Sequence, residues 1–142
     1  MAIEAEYMGM MLTVDDVDKE NREFFKFCAQ GEFRLQKCDK CSNIEWPPSP
    51  VCSNCLSQNL TWTKLSGNGR IKSYCTFERQ YYPECPAPWQ IIFVELEEGP
   101  WFISNPKDIP TEDIGIGLPV KAAFIDCEDD HGLFKLPVFE KA

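Results

Sequence analysis

Four thiols constrain this chain more than any other feature in it. The stretch CDKCSNIEWPPSPVCSNC runs from Cys38 to Cys55 and holds two Cys-x-x-Cys pairs with ten residues between them. Such a pair is a tight turn that brings two sulfurs to one point, and two pairs complete the tetrahedron of soft donors that zinc takes. Cys38, Cys41, Cys52 and Cys55 are therefore read as the ligands of one structural Zn2+. The competing readings are two disulfides, or a reduced and empty site. The ten-residue gap is shorter than the usual spacing of this pattern, yet it leaves room for a hairpin. Glycine often follows the second Cys of a knuckle, whereas Ser42 and Leu56 stand there in this chain. Four thiolates leave water no open position on the metal, so the cage is a staple rather than a catalyst.

The rest of the composition supports metal over disulfide. Eight cysteines would suit a disulfide scaffold in a secreted chain. The first ten residues, MAIEAEYMGM, lack the basic and apolar regions of a signal peptide, so a cytoplasmic location and reduced thiols are expected. No apolar run approaches the length that spans a membrane. At 142 residues the chain is one domain, or two small ones packed together. Its net charge of −9 argues against nucleic acid, because neutralising phosphates needs a basic face. The net-positive part is the middle of the chain, where Arg34, Lys37, Lys40, Lys64, Arg70, Lys72 and Arg79 lie. That suits a small anionic ligand better than a duplex.

Along the chain, Thr13 with Asp15 and Asp16 reads as a helix N-cap with acids in the first turn. Val14, Val17, Phe24, Phe25 and Cys28 recur at helical spacing towards Gln30, and Gly31 supplies the stop. Residues 1–32 are thus a helical segment. Residues 33–65 are the ribbon, with Trp46, Pro47, Pro48 and Pro50 as stiff connectors between the knuckles. From residue 66 to 142 the texture is β. Strands are predicted at 70–79, 91–96, 101–104, 119–127 and 133–139, with Ile71, Cys75 and Phe77 on one face of the first. Five short strands with turns between them make a barrel of OB-fold size. The fold class is mainly β, with an N-terminal helix, a zinc ribbon and a five-stranded barrel.

Candidates for catalysis are few. Outside the cage stand Cys28, Cys75, Cys85 and Cys127, and the only histidine, His131, sits in an acidic turn, so a Cys-His dyad has little support. Cys75 and Cys127 fall on the apolar phase of strands and read as small core residues. The acids at 126–130 have the wrong spacing for a calcium loop. One loop asks for a role: RQYYPECPAPWQ, residues 79–90, stiffens Tyr81, Tyr82 and Trp89 with three prolines. Aromatics on a stiff loop suit a binding surface, or they cap one barrel end.

FRLQKCDKC after a Phe-rich helix, PPSPVCSNC, LTWTKLSGNGRIKSYCTFER, FVELEEGPWFISN, IGIGLPVKAAF and LPVFEKA together resemble the OB-fold, acyl-CoA-associated zinc-ribbon family, over roughly residues 20–142. The resemblance implies a rubredoxin-like zinc ribbon followed by an OB barrel. It also implies a non-catalytic accessory subunit of a thiolase-type complex, in which a larger thiolase-fold partner carries the catalytic residues and cleaves a carbon–carbon bond. Members pair with hydratases or aldolases as well, and the likeness extends to the small subunit of a thiolase acting on benzoylsuccinyl-CoA in aromatic degradation. CoA or an acyl-CoA is the ligand so implied. Its phosphates and pantetheine arm would fall between ribbon and barrel, on Lys37, Lys40, Arg70, Lys72, Tyr81, Tyr82 and Trp89. Two rival readings stand beside this one. A ribbon joined to an OB barrel can bind nucleic acid, and a rubredoxin-like site can carry electrons if it holds iron.

Overall fold

A computed structural model describes residues 3–7, 10–14, 19–81, 83, 86–129 and 132–142. Strands β1 (Ile3–Tyr7) and β2 (Met10–Val14) form an antiparallel hairpin. Helix α1 (Lys19–Ala29) follows, so the helix predicted from Thr13 is shorter than expected and residues 10–14 pair as a strand instead. Thr13, expected as the helix cap, instead pairs with Glu4 in that strand, and the first-turn acids Asp15 and Asp16 lie outside the described residues. At the other end Gly31 takes a φ of 75° and donates to the Cys28 carbonyl at 2.9 Å, the left-handed stop the sequence called for.

The ribbon is a three-stranded sheet in which β3 (Arg34–Cys38) lies between β4 (Ile44–Glu45) and β5 (Leu60–Lys64). The barrel is built from β6 (Asn68–Phe77), β7 (Trp89–Leu96), β8 (Trp101–Ser104), β9 (Pro119–Asp129) and β10 (Gly132–Lys141). Their antiparallel order is β10-β9-β6-β7-β8. The two ends meet through a parallel bridge from Pro106 to Phe139, with the Lys107 N–H donating to the Phe139 carbonyl at 2.7 Å. The result is the five-stranded OB topology. Hairpin β1–β2 joins the same sheet by pairing Ala5 with Asp129 on β9.

Side-chain alternation explains β7. Gln90, Ile92, Val94 and Leu96 are buried, and the residues between them are half-exposed, as expected for a strand with one face on a core. Alternation fails on β6. A bulge falls between Ile71 and Ser73 opposite β7, so the face changes there. Ile71 is fully buried, yet Cys75 is exposed, which corrects its expected place in the core. Gly69 is required for a different reason. A Cβ there would meet the Glu95 carbonyl and a Val94 methyl at 2.6 Å, so only glycine lets β6 approach β7 this closely.

Ribbon, helix and barrel share one core. Phe24 of α1 is 1% exposed and faces Phe33 and Trp46 of the ribbon at ring-centroid distances of 6.4 and 4.8 Å, and Phe102 of β8 at 6.3 Å. Trp46 lies on Phe102 at 4.2 Å, and Phe139 of β10 completes the group. Trp46, read from sequence as part of a stiff connector, is thus where ribbon meets barrel.

Candidate metal centre and neighbouring clefts

Each knuckle starts on a buried cysteine. Cys38 ends β3 and Cys52 follows the proline segment, at 1% and 0% exposure. Both turns close in the same way. The Ser42 N–H donates to the Cys38 carbonyl at 2.9 Å, and the Leu56 N–H donates to the Cys52 carbonyl at 2.9 Å. In return the Cys38 N–H reaches the Asn43 carbonyl and the Cys52 N–H the Ser57 carbonyl, both at 2.8 Å. The four Sγ atoms then lie within 4.8 Å of one another, with Cys38–Cys55 at 3.5 Å and Cys41–Cys52 at 3.6 Å. Bonds of about 2.3 Å to a tetrahedral zinc give edges of about 3.8 Å, so the donor set fits one such ion. These separations are far too long for disulfides, which removes that alternative.

The knuckles also prepare the sulfurs electrically. The backbone N–H groups of Cys41 and Lys40 hold the Cys38 thiol below the usual range, and the Asn54 side chain with the Asn43 N–H does the same for Cys41. Cys55 goes the other way, up to about 12. The Ser57 N–H favours its thiolate, but desolvation and the three neighbouring sulfurs outweigh that bond. Negative charges crowded at one point need a cation among them.

Three partners of the cage went unread in the sequence. Glu45 on β4 is 6% exposed, and its Oε1 accepts from the Ser53 N–H at 2.7 Å, the Ser53 hydroxyl at 2.8 Å and the Asn43 amide at 2.7 Å. Desolvation works against its charge, yet these donors keep the carboxyl below its ordinary range. Asn43 Nδ2 also lies 3.8 Å from the Cys52 sulfur. A lone Glu in a proline-rich connector carries no sequence signal of such a role.

Ser42 and Leu56, noted above for not being glycine, hold left-handed φ values of 66° and 63°. The knuckle imposes that conformation whatever residue stands there, at about 1–2 kcal/mol for a side chain with a Cβ. Leu56 is 77% exposed, so its removal loses little packing. Leu56→Gly should therefore stabilise the zinc-loaded protein by roughly 0.5–1 kcal/mol, after the entropy of an unfolded glycine takes back part of the gain. Denaturant titration of the two proteins measures this, and a destabilised variant would contradict it.

The residues expected around a CoA site divide. Arg70 and Lys72 line one open cleft of roughly 390 Å3 with Asn68, Glu95, Glu97 and Pro119. Arg70 donates to the Gly117 carbonyl at 3.1 Å, and Lys72 pairs with Glu95 at 3.0 Å. Lys37 lies on β3 opposite Ile44 and Thr61, and Lys40 sits in the first knuckle; neither lines that cleft. Trp89 stacks on Phe77 at 4.2 Å and 7°, while Tyr81 is 59% exposed beneath the Arg79 guanidinium. Tyr82, Cys85 and His131 lie outside the described residues, as does the Cys127 side chain. Cys28 is fully buried, and desolvation pushes its thiol up to about 12, so it packs and does not react.

Comparison with known proteins agrees with this architecture. Residues 25–61 match the family model described as the ChsH2 rubredoxin-like zinc ribbon domain, and residues 62–124 match that of the ChsH2 C-terminal OB-fold domain. The chain is 28% identical over 126 residues to a probable enoyl-CoA hydratase alpha subunit of Thermomonospora curvata, covering 89% of itself but only 39% of that longer protein. It is 30% identical over 102 residues to a DUF35 domain-containing scaffold protein of Methanocaldococcus jannaschii, covering 66% of itself and 68% of the relative. Among solved structures it superposes on a chain of an Ltp2-ChsH2(DUF35) aldolase with a TM-score of 0.77 and 28% identity, covering 90% and 98% of the two chains. Ribbon, barrel and their order along the chain all coincide, and the protein belongs to the DUF35 family of ChsH2-type proteins, a rubredoxin-like zinc ribbon followed by an OB-fold.

Proposed function

We propose that this chain is a non-catalytic accessory subunit of an acyl-CoA enzyme complex, held together by one zinc on Cys38, Cys41, Cys52 and Cys55. The observation that carries the reading is the closed shell of four sulfurs at tetrahedral spacing, which leaves no position for a substrate. The described thiols outside the cage offer no paired nucleophile. Among the described residues outside the cage, Cys28 is sealed in the core and Cys75 lies exposed on β6. Chemistry on a thioester then falls to a partner. We take that partner to be a thiolase-fold enzyme that cleaves a carbon–carbon bond, with a benzoylsuccinyl-CoA thiolase of aromatic degradation as one instance. The names of the hydratase subunit and the aldolase complex among its relatives favour a second reading, in which the partner is an acyl-CoA hydratase or aldolase.

A nucleic-acid role has less support. The chain carries a net charge of −9, and neutralising a phosphate backbone needs a basic face.

We place the CoA phosphates at Arg70 and Lys72. Lys72 and Glu95 are each about two-fifths exposed, and an ion pair at that exposure is worth at most about 1 kcal/mol, so exchanging the carboxylate for a phosphate costs little. One experiment tests the reading as a whole. The tagged chain is purified from its native host, the co-purifying enzyme is identified, and the complex is assayed for thiolysis, hydration and aldol cleavage of acyl-CoA. Activity is expected only with both chains present, and turnover by the isolated chain would sink the accessory role. In that complex Arg70→Ala should weaken CoA binding about tenfold or more, since a charge-assisted hydrogen bond is worth roughly 1.5–3 kcal/mol. Tyr82→Phe should weaken it less. Unchanged affinity in a triple Arg70, Lys72 and Lys40 to Ala variant would move the phosphates onto the partner.

A further inference from the structure

We propose that Glu45 is the positioning residue of the zinc cage: a buried carboxylate that ties the two knuckles to each other and, through Asn43, orients the Cys52 thiolate. The proposal rests on the zinc reading above.

The geometry is a closed relay. Asn43 belongs to the first knuckle, where its backbone carbonyl accepts from the Cys38 N–H at 2.8 Å. Its side chain crosses to the second. An amide nitrogen carries two hydrogens, and here one goes to Glu45 Oε1 at 2.7 Å while the other faces the Cys52 sulfur at 3.8 Å. Ser53, the residue after Cys52, donates both its N–H and its hydroxyl to that same carboxylate oxygen. One oxygen atom therefore fixes a residue of each knuckle.

A single acceptor could have been a neutral carbonyl; a carboxylate makes all three bonds charge-assisted and about twice as strong. The arrangement parallels the carboxylate–histidine–metal chains in which an outer acid aims a ligand, with an amide and a thiolate in place of the imidazole. Keeping a charge 6% exposed next to a cage that is itself anionic is unfavourable unless its bonds are needed. We infer that they hold the four sulfurs in place whether or not the ion is bound, which slows the ion's escape.

The test uses the full chain and three variants, Glu45→Ala, Glu45→Gln and, as a core change away from the cage, Phe139→Ala. Elemental analysis of the wild type checks the zinc reading by itself. The rate of zinc transfer to a chromogenic chelator is then measured under native conditions, with the absorption spectrum of the cobalt-substituted proteins as a second readout. Outer-shell partners typically change metal affinity 10–100-fold, so Glu45→Ala should release zinc about 10–100-fold faster. Glu45→Gln keeps an oxygen acceptor without the charge and should fall in between. Both should alter the cobalt–thiolate bands, whereas Phe139→Ala should lower stability yet leave bands and transfer rate close to wild type. If Glu45→Ala fails to fold, Glu45→Gln decides alone. A zinc-loaded wild type whose Glu45 variants release metal at the wild-type rate, or no faster than Phe139→Ala, overturns the proposal and spares the zinc reading. A wild type without zinc overturns both.

Discussion

Serine in place of Cys52 should leave the chain without its metal and either insoluble or loosely folded. Cys52 is fully buried at the centre of the second knuckle, and a serine hydroxyl is a poor substitute for a thiolate on zinc. A structural zinc contributes roughly 10–16 kcal/mol of apparent binding free energy, comparable with the whole stability of a domain at roughly 5–15 kcal/mol. Losing one of four ligands forfeits enough of it to matter. Elemental analysis and circular dichroism of fresh, reduced protein measure the effect. A Cys52→Ser chain that keeps one equivalent of zinc and melts cooperatively would refute the cage. Cys28→Ala is the matched control. Cys28 is equally buried but only packs, so its loss should cost a cavity of modest size and leave the zinc content unchanged.

Phe24→Ala should be the most damaging change outside the cage, costing about 3–5 kcal/mol. Its ring touches both the ribbon, through Phe33 and Trp46, and the barrel, through Phe102. Truncation opens a cavity that neither half can fill alone, because each is held by its own hydrogen-bonded sheet. For a chain of this length the melting temperature should fall by roughly 10 °C or more. Calorimetry on zinc-loaded protein measures it, and a loss under about 1 kcal/mol would show that ribbon and barrel are stable apart.

How much of this was legible varies by kind of signal. The cage was readable because Cys-x-x-Cys is a local geometry, complete within four residues. Strands β7 and β8 were readable because their apolar pattern and turn residues agree with the barrel that buries them. The β1–β2 hairpin was not. Thr13 with its following acids is a local cap pattern, and it outweighed a hairpin whose support, the pairing of β1 with β9, comes from far along the chain. Cys75 was misplaced because a single bulge between Ile71 and Ser73 reverses every later face, and nothing in the residue types marks it. Glu45 was missed since its role exists only once both knuckles are folded around it. Lys37 and Lys40 were grouped with Arg70 and Lys72 by nearness in sequence; the fold puts Lys37 on β3 and Lys40 in the knuckle after it, and neither lines the cleft of Arg70 and Lys72.

The packing of Trp46 against Phe102 has a consequence for how such chains can be recombined. A ribbon and a barrel look like exchangeable cassettes when drawn along a line. Here the seam between them is made of aromatic rings contributed by both sides and wedged by a third from the helix. A graft that moved residues 33–65 onto another barrel would bring Trp46 to a surface with no matching hollow. The heritable unit is therefore the pair, with Phe24 as its keystone, and any chimaera has to be cut outside all three rings.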